Sequence, residues 1–347
     1  MKTLSRNNHY VPQFYLNNWG FEHKILAMQL LVNNENIPVW RYETIKKTAV
    51  HRNLYIQTTK QKETDKIETW FNEEYETPVQ GAFSKAINDE RLTPEDWKRL
   101  VNFLASMSMR TPARIVNNFE KIKKILPEIL EKLQNDFEKM PYDEIKSKIT
   151  SSRYDVNQDE LVAPIRVHIE DNQDDIENVF AKIEVSVGKG LILWSMIRTL
   201  TTTAEILHNH HWSIVSVAEG MSWATTDDPV LCINYYGKDN YDFGGGWNNK
   251  GSEIIFPISP TRALYTQVGS KHPRRFSFDL EKSQDIQKMI IGHAHRKIYS
   301  YLPDPDIEKL RPRKVDLEMY NDEVKQWAKF HQDQIELEKE YYNGENS

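Results

Sequence analysis

Five polar side chains stand where the surrounding apolar pattern turns them inward: His9, Glu74, Arg110, Asp227 and His293. A histidine moves protons near neutral pH, a carboxylate acts as a base or metal ligand, and an arginine neutralises charge developing on a phosphate. Gathered in one place, such a set suits cleavage of a phosphodiester or handling of a nucleotide. Asp227 is followed directly by Asp228, and the two carboxylates form the natural metal-binding candidate of the chain. Each group also has a structural reading. A histidine can be a satisfied core residue, and an inward arginine needs a partner because an unpaired buried charge is costly. On pattern, Glu74 is the partner assigned to Arg110.

Local elements must position these groups. The stretch His211 to Asn234, HWSIVSVAEGMSWATTDDPVLCIN, reads as a hairpin turning at Glu219 and Gly220. It places Asp227 and Asp228 at a strand end before Pro229. His9 stands before a short helix opened by Val11 and Pro12. Glu74 lies on a helix from Thr64 to Asn88, kinked at Pro78, whose apolar set includes Ile67, Trp70 and Phe71. The helix Pro94 to Arg110 is capped by Thr93 with Asp96 three residues on, and Leu100, Phe103, Leu104 and Met107 lead its apolar face to Arg110. A helix from Glu281 to Tyr299 carries Ile286, Met289, Ile290, Ala294 and Ile298, with His293 on the same face.

The rest of the chain reads as support. Lys24 to Val32 and Pro38 to Tyr42 form a hairpin, Leu54 to Ile56 a strand, and Glu253 to Val268 two strands joined at Ser259 to Arg262. Lys121 to Lys148 is an amphipathic, charged helical arm. A strand within Leu161 to Ile169, a helix from Asp174 to Ile183 and an apolar helix from Leu191 to His208 follow. His208, His210 and His211 lack further ligands at zinc spacing and suit a helix C-terminus instead. Gly237 to Gly251 is a glycine-rich loop without the lysine and hydroxyl residue of a phosphate loop. Asp316 to Tyr342 is a charged helix fit to meet a protein partner.

A net charge of −6 provides no overall basic field for nucleic acid, although a local basic groove is compatible with it. The single cysteine, Cys232, lies in an apolar strand and reads as an inert buried thiol in a reducing cytoplasm. No apolar run approaches the ~20 residues of a membrane span, so the expectation is a cytoplasmic protein without membrane contact. The pattern gives an α+β fold: a central, mostly antiparallel sheet flanked by helices. Residues 1–310 are expected to form one domain with a helical insertion at about 120–175, followed by a charged helix over 311–347.

Four segments in order resemble the DUF4238 family: Asn8-His9-Tyr10-Val11-Pro12-Gln13-Phe14-Tyr15-Leu16, Arg110-Thr111-Pro112, Trp223-Ala224-Thr225-Thr226-Asp227-Asp228-Pro229-Val230 and Phe256-Pro257-Ile258-Ser259-Pro260. The likeness runs from about residue 7 to about residue 300. It matches at Asp227, whereas such proteins more usually carry Asn at the position of Asp228. The resemblance implies a bacterial origin and one shared architecture, and no mechanism.

Three functions compete. The leading expectation is an effector enzyme acting on nucleic acid or nucleotide, nuclease-like with a divalent metal, in a defence or toxin system. The second is an NAD-using ADP-ribosyltransferase-like toxin, with His9 on ribose and Glu74 stabilising the cationic sugar. The third is a binding or assembly module in which the inward polar groups only support one another. Convergence of the five residues separates the catalytic readings from the third.

Overall fold

The computed structural model describes residues 4–58, 63–139, 165–170, 180–185 and 189–343. Strand Glu253–Ser259, EIIFPIS, is buried at every position, as an interior strand covered on both faces must be. It lies within a six-stranded sheet ordered Asn240–Asp242, Leu231–Gly237, Glu253–Ser259, Arg262–Gln267, Ser213–Ser216, Arg275–Ser277. All neighbours are antiparallel except the last pair. Pro257 survives in this interior strand because the ladder with Leu231–Gly237 runs only over residues 253–255, and its other neighbour is bulged between Pro257 and Ser259. A residue without an N–H fits where no ladder bond is required.

A second sheet is centred on Lys24–Gln29. One side pairs with Trp40–Thr44, the expected hairpin; the other is shared by Gly20–Phe21 and Lys297–Ser300. Lys297–Ser300 in turn pairs with Thr225–Thr226. Helix Leu280–His293 serves both sheets: Ile286, Met289 and Ile290 pack with Val215, Leu231, Ile255 and Tyr265, while Ile291 joins Met28, Ile298 and Ile307.

This arrangement is the expected α+β fold with antiparallel sheets, and it corrects several local readings. His211 to Asn234 is not a hairpin. Ser213–Ser216 stays in the first sheet, and the chain turns at residues 218–221, where Gly220 takes φ +79°, then crosses to the second sheet as Thr225–Thr226. Leu54 to Ile56 is a buried turn and not a strand. The helix from Thr64 is interrupted by a π segment at Asn72–Glu76 before continuing as Thr77–Ile87, so the irregularity precedes Pro78. The helix expected to reach Tyr299 ends at His293. After the Ala294 amide, which donates to the Ile291 carbonyl, those of His295 and Arg296 donate to the Asp227 carboxylate, which removes them from any i→i−4 ladder. The glycine-rich loop lies close on its sheet: a Cβ at Gly245 would come within 2.5 Å of the Ile233 nitrogen.

The chain divides into two compact units. The first comprises residues 1–55, 65–114 and 198–327 and holds both sheets. Residues 56–64, 115–197 and 328–347 make the second, which takes in the arm and the insertion read from sequence. In it, Phe119 meets Phe330 edge-on at 5.4 Å and Glu338 accepts the Gly190 amide at 2.8 Å. Ile165–Glu170 and Phe180–Val185 pair antiparallel. The first meets the expected strand; the second replaces the end of the helix expected over 174–183, whose residues 174–179 lie outside the described residues, as do 140–148 of the arm. Among the described residues no helix is long and apolar enough to cross a membrane.

Candidate functional site

The N-terminal motif is knitted to the strand that carries Asp227. Asn7–His9 pairs with Val50–Arg52, and Pro12 precedes the short helix Gln13–Leu16. That helix brings Tyr15 flat onto Phe256, with ring centroids 5.3 Å apart. The Tyr15 hydroxyl donates to the Pro257 carbonyl at 2.8 Å and meets Thr225 Oγ1 at 2.6 Å, and Trp19 Nε1 donates to the Trp223 carbonyl at 2.8 Å. The bulge at Pro257 thus leaves a carbonyl that Tyr15 satisfies, and burial of these rings fixes Thr225 to Asp227 from behind.

Arg110 lies at the end of helix Pro94–Met107, where the Thr93/Asp96 capping box and the buried Leu100, Phe103, Leu104 and Met107 hold the expected register. The guanidinium is fully buried, 0% exposed. Its Nη1 donates to Glu76 at 2.7 Å, its Nη2 to the His9 carbonyl at 2.6 Å, and it sits 4.5 Å from the centre of the Phe71 ring. The expected Glu74–Arg110 pair is therefore corrected: Glu76 is the partner and Glu74 faces solvent. The π segment puts extra chain into the turn, which shifts the register of the residues that follow, and Glu76 is the carboxylate that meets Arg110. Glu68 lies in the same network; burial pushes its carboxyl up to about 7, against the pull of Arg110. Burial also depresses His9, whose Nε2 meets the Lys46 carbonyl at 3.2 Å.

Asp227 is 3% exposed and clamped by backbone: Oδ1 accepts from the His295 amide and Oδ2 from the Arg296 amide, each at 2.8 Å. Burial raises its pKa, opposed by His295 and by the two amides. Beside it opens a cleft of about 200 Å³, lined among others by Tyr10, His51, His295, Arg296, Lys297 and Trp327. The His51 ring packs against Trp327 at a tilt of 55°, with centroids 4.3 Å apart. Lys297 is held by Glu43 at 2.8 Å and Arg296 by Glu323 at 2.7 Å. Lys297, with hydrogen bonds, holds the Glu43 carboxyl low although burial alone would raise it.

Asp228, in the bend that follows strand Thr225–Thr226, has a different set of partners. Its Oδ2 lies 3.2 Å from Arg114 Nε and its Oδ1 accepts from Thr111 at 3.4 Å. His293 Nδ1 donates to the Asp228 carbonyl at 2.8 Å, which leaves Nε2 to accept from Arg114 Nη2 at 3.1 Å. The five expected residues thus fall in three places: Arg110 with the His9 backbone, Asp227 at the cleft, and His293 with Asp228, while Glu74 joins none. The convergence expected of the catalytic readings is therefore not found, and an enzyme reading has to rest on other residues around Asp227. Asp227 and Asp228 do not share a site, and among the described residues no three metal-donor side chains converge. Cys232 is a free thiol pushed up to about 12 by burial, in keeping with an inert role.

The profile of the family described as "Protein of unknown function (DUF4238)" matches residues 7–302. The chain belongs to this family. No curated protein and no solved structure matches it. The four segments quoted above meet around Asp227 and Asp228 through Tyr15, Thr111, Thr225 and Pro257. The DUF4238 match ends before helix Leu317–Asn343, so Trp327, a wall of the cleft, lies outside it. Sequence reasoning missed His51, His295, Arg296 and Lys297. The signal was present: three adjacent basic residues at 295–297 cannot all lie on the apolar face of a helix.

Proposed function

We propose that this chain is an enzyme acting on a nucleotide or a nucleic-acid strand, with its site in the cleft beside Asp227. One observation carries the reading: the cleft combines aromatic rings, Trp327 and the largely buried Tyr10, with His51, His295, Arg296 and Lys297 over a buried, clamped carboxylate. Aromatic faces suit a base and cations suit a phosphate. His295, which lines the cleft with Asp227, supplies the imidazole for proton transfer, while Arg296 and Lys297 face the phosphate. Both Asp227 oxygens already accept amide protons and Asp228 turns away, so this donor set fits acid–base work by His295 better than the expected pair of metal-binding carboxylates.

Size separates the nucleotide reading from the NAD reading. A volume of about 200 Å³ is below the roughly 300–1,000 Å³ of ordinary small-molecule sites. So small a cleft speaks against a dinucleotide, and the two groups expected to contact NAD, His9 and Glu74, do not meet at it.

The test is turnover of radiolabelled mononucleotides, RNA and single-stranded DNA by the wild type and by His295→Ala. Conversion of one class by the wild type, reduced at least ~100-fold in the variant, is the size expected of a lost general acid or base; no conversion of any class, or equal conversion by both, contradicts the reading. The effector role is tested by induced expression, with growth arrest expected for the wild type and relief for His295→Ala at equal soluble protein.

A further inference from the structure

Two cavities of the first unit share a wall. The Asp227 cleft and a groove of about 400 Å³ lined by Lys314, Asp316, Glu318 and Asp322 both include Arg296 and Glu323. Arg296 Nε and Glu323 Oε2 lie 2.7 Å apart, so this ion pair is the partition. Its side chains are 36% and 26% exposed, and ion pairs open to water to that degree hold weakly. Glu323 belongs to helix Leu317–Asn343, whose base is fixed independently: Lys314–Val315 pairs with Leu31–Val32, and the Asp316 amide donates to the Val32 carbonyl at 2.9 Å. Beyond that anchor, the Arg296–Glu323 pair and the tilted His51–Trp327 ring contact hold the helix to the cleft.

We propose that Glu323 stands in for the ligand's phosphate, and that a ligand carrying a single phosphate takes Arg296 from it and joins the two cavities. This rests on the nucleotide reading of the cleft. An arginine forms a fork that suits phosphate at least as well as carboxylate, so the exchange replaces one charge-assisted contact by another. The groove beyond the partition sets the class of ligand. With Glu323 it carries four carboxylates against Arg296 and Lys314, so it repels a second phosphate and accepts a neutral extension. The shared chemistry is a terminal monophosphate, on a free nucleotide or on a strand end. Glu323 and Trp327 are then specificity residues supplied from outside the family-matched segment.

The experiment compares the wild type with Glu323→Gln, an isosteric change at a partly exposed position. The probes are AMP, ADP and a trinucleotide with and without a 5′-phosphate, titrated calorimetrically, with hydrogen exchange followed over residues 317–327. The proposal expects Glu323→Gln to bind AMP at least tenfold more tightly than the wild type, to gain less for ADP, and to exchange faster over 317–327; AMP should speed the same amides in the wild type. A preference for the 5′-phosphorylated trinucleotide over AMP assigns the phosphate to a strand end, and the reverse assigns it to a free nucleotide. Equal AMP affinity of the two proteins, or unchanged exchange in Glu323→Gln, overturns the proposal. If exchange rises but neither protein binds any probe, the latch is supported and the nucleotide reading is overturned.

Discussion

Arg110 and Asp227 are both buried charges held by backbone groups, and the N-terminal motif serves both through consecutive residues: the His9 carbonyl binds Arg110, while Tyr10 lines the cleft beside Asp227. They differ in what lies on their open side. Arg110 has none; Glu76, the His9 carbonyl and the Phe71 and Tyr55 rings enclose it. Asp227 is gripped from behind by two amides and faces a cleft walled by cations and rings. An inward charge is therefore not in itself a sign of chemistry. A site needs, in addition, a face left free for another molecule.

The comparison breaks most visibly on stability. Arg110→Met should cost about 3–5 kcal/mol by leaving the partly buried Glu76 and the His9 carbonyl without their partner, read as a fall in denaturant midpoint. Glu76→Ala should behave alike, for it strands the arginine. A smaller loss from Arg110→Met would mean that water reaches this network.

Next in size is a pH effect confined to the enclosed network. Glu68 has a folded-state pKa of about 7, raised from 4.5 by burial. The folded protein therefore favours the protonated form, and this contribution is complete below pH 4.5 and lost as pH rises through 7. At roughly 1.4 kcal/mol per unit the full loss is on the order of 3 kcal/mol. Between pH 5 and 8 the wild type should lose stability relative to Glu68→Gln, which stays neutral throughout. Parallel curves for the two proteins would remove Glu68 from the account.

Asp227→Asn sharpens the contrast on the other side. The amide can accept one of the two backbone N–H groups but presents its own donor to the second, at a cost of about 1–3 kcal/mol. Thermal unfolding should show this loss together with weaker ligand binding. Smallest of all is Glu74→Ala, expected within about 0.5 kcal/mol of the wild type because Glu74 is exposed. A loss comparable to that of Glu76→Ala would restore the pairing that a regular helix suggests.

Where local chemistry decides, the sequence was legible. The Thr93 cap, the face running from Leu100 to Met107 and the inward turn of Arg110 all follow from short-range periodicity and cap geometry. The exchange of Glu74 for Glu76 comes from a π segment that no periodic template contains. Asp227 was legible as a residue of interest, but its setting was not. Thr225–Thr226 pairs with Lys297–Ser300 about seventy residues later, and such long-range pairing leaves no trace in alternation. That same contact ends the helix at His293 and turns His295, Arg296 and Lys297 into cleft-lining residues. The site was therefore only half visible, because its acid lies in one strand and its cations follow a helix whose end the acid itself determines.

The most direct test is calorimetric titration of AMP into the wild type, His295→Ala and Glu68→Gln at pH 7, with unfolding temperatures recorded for each. The account predicts that the wild type and Glu68→Gln bind alike, whereas His295→Ala binds at least tenfold more weakly with its unfolding temperature unchanged. Equal affinity in all three, or a loss in Glu68→Gln that His295→Ala does not share, would contradict the assignment of function to the open cleft.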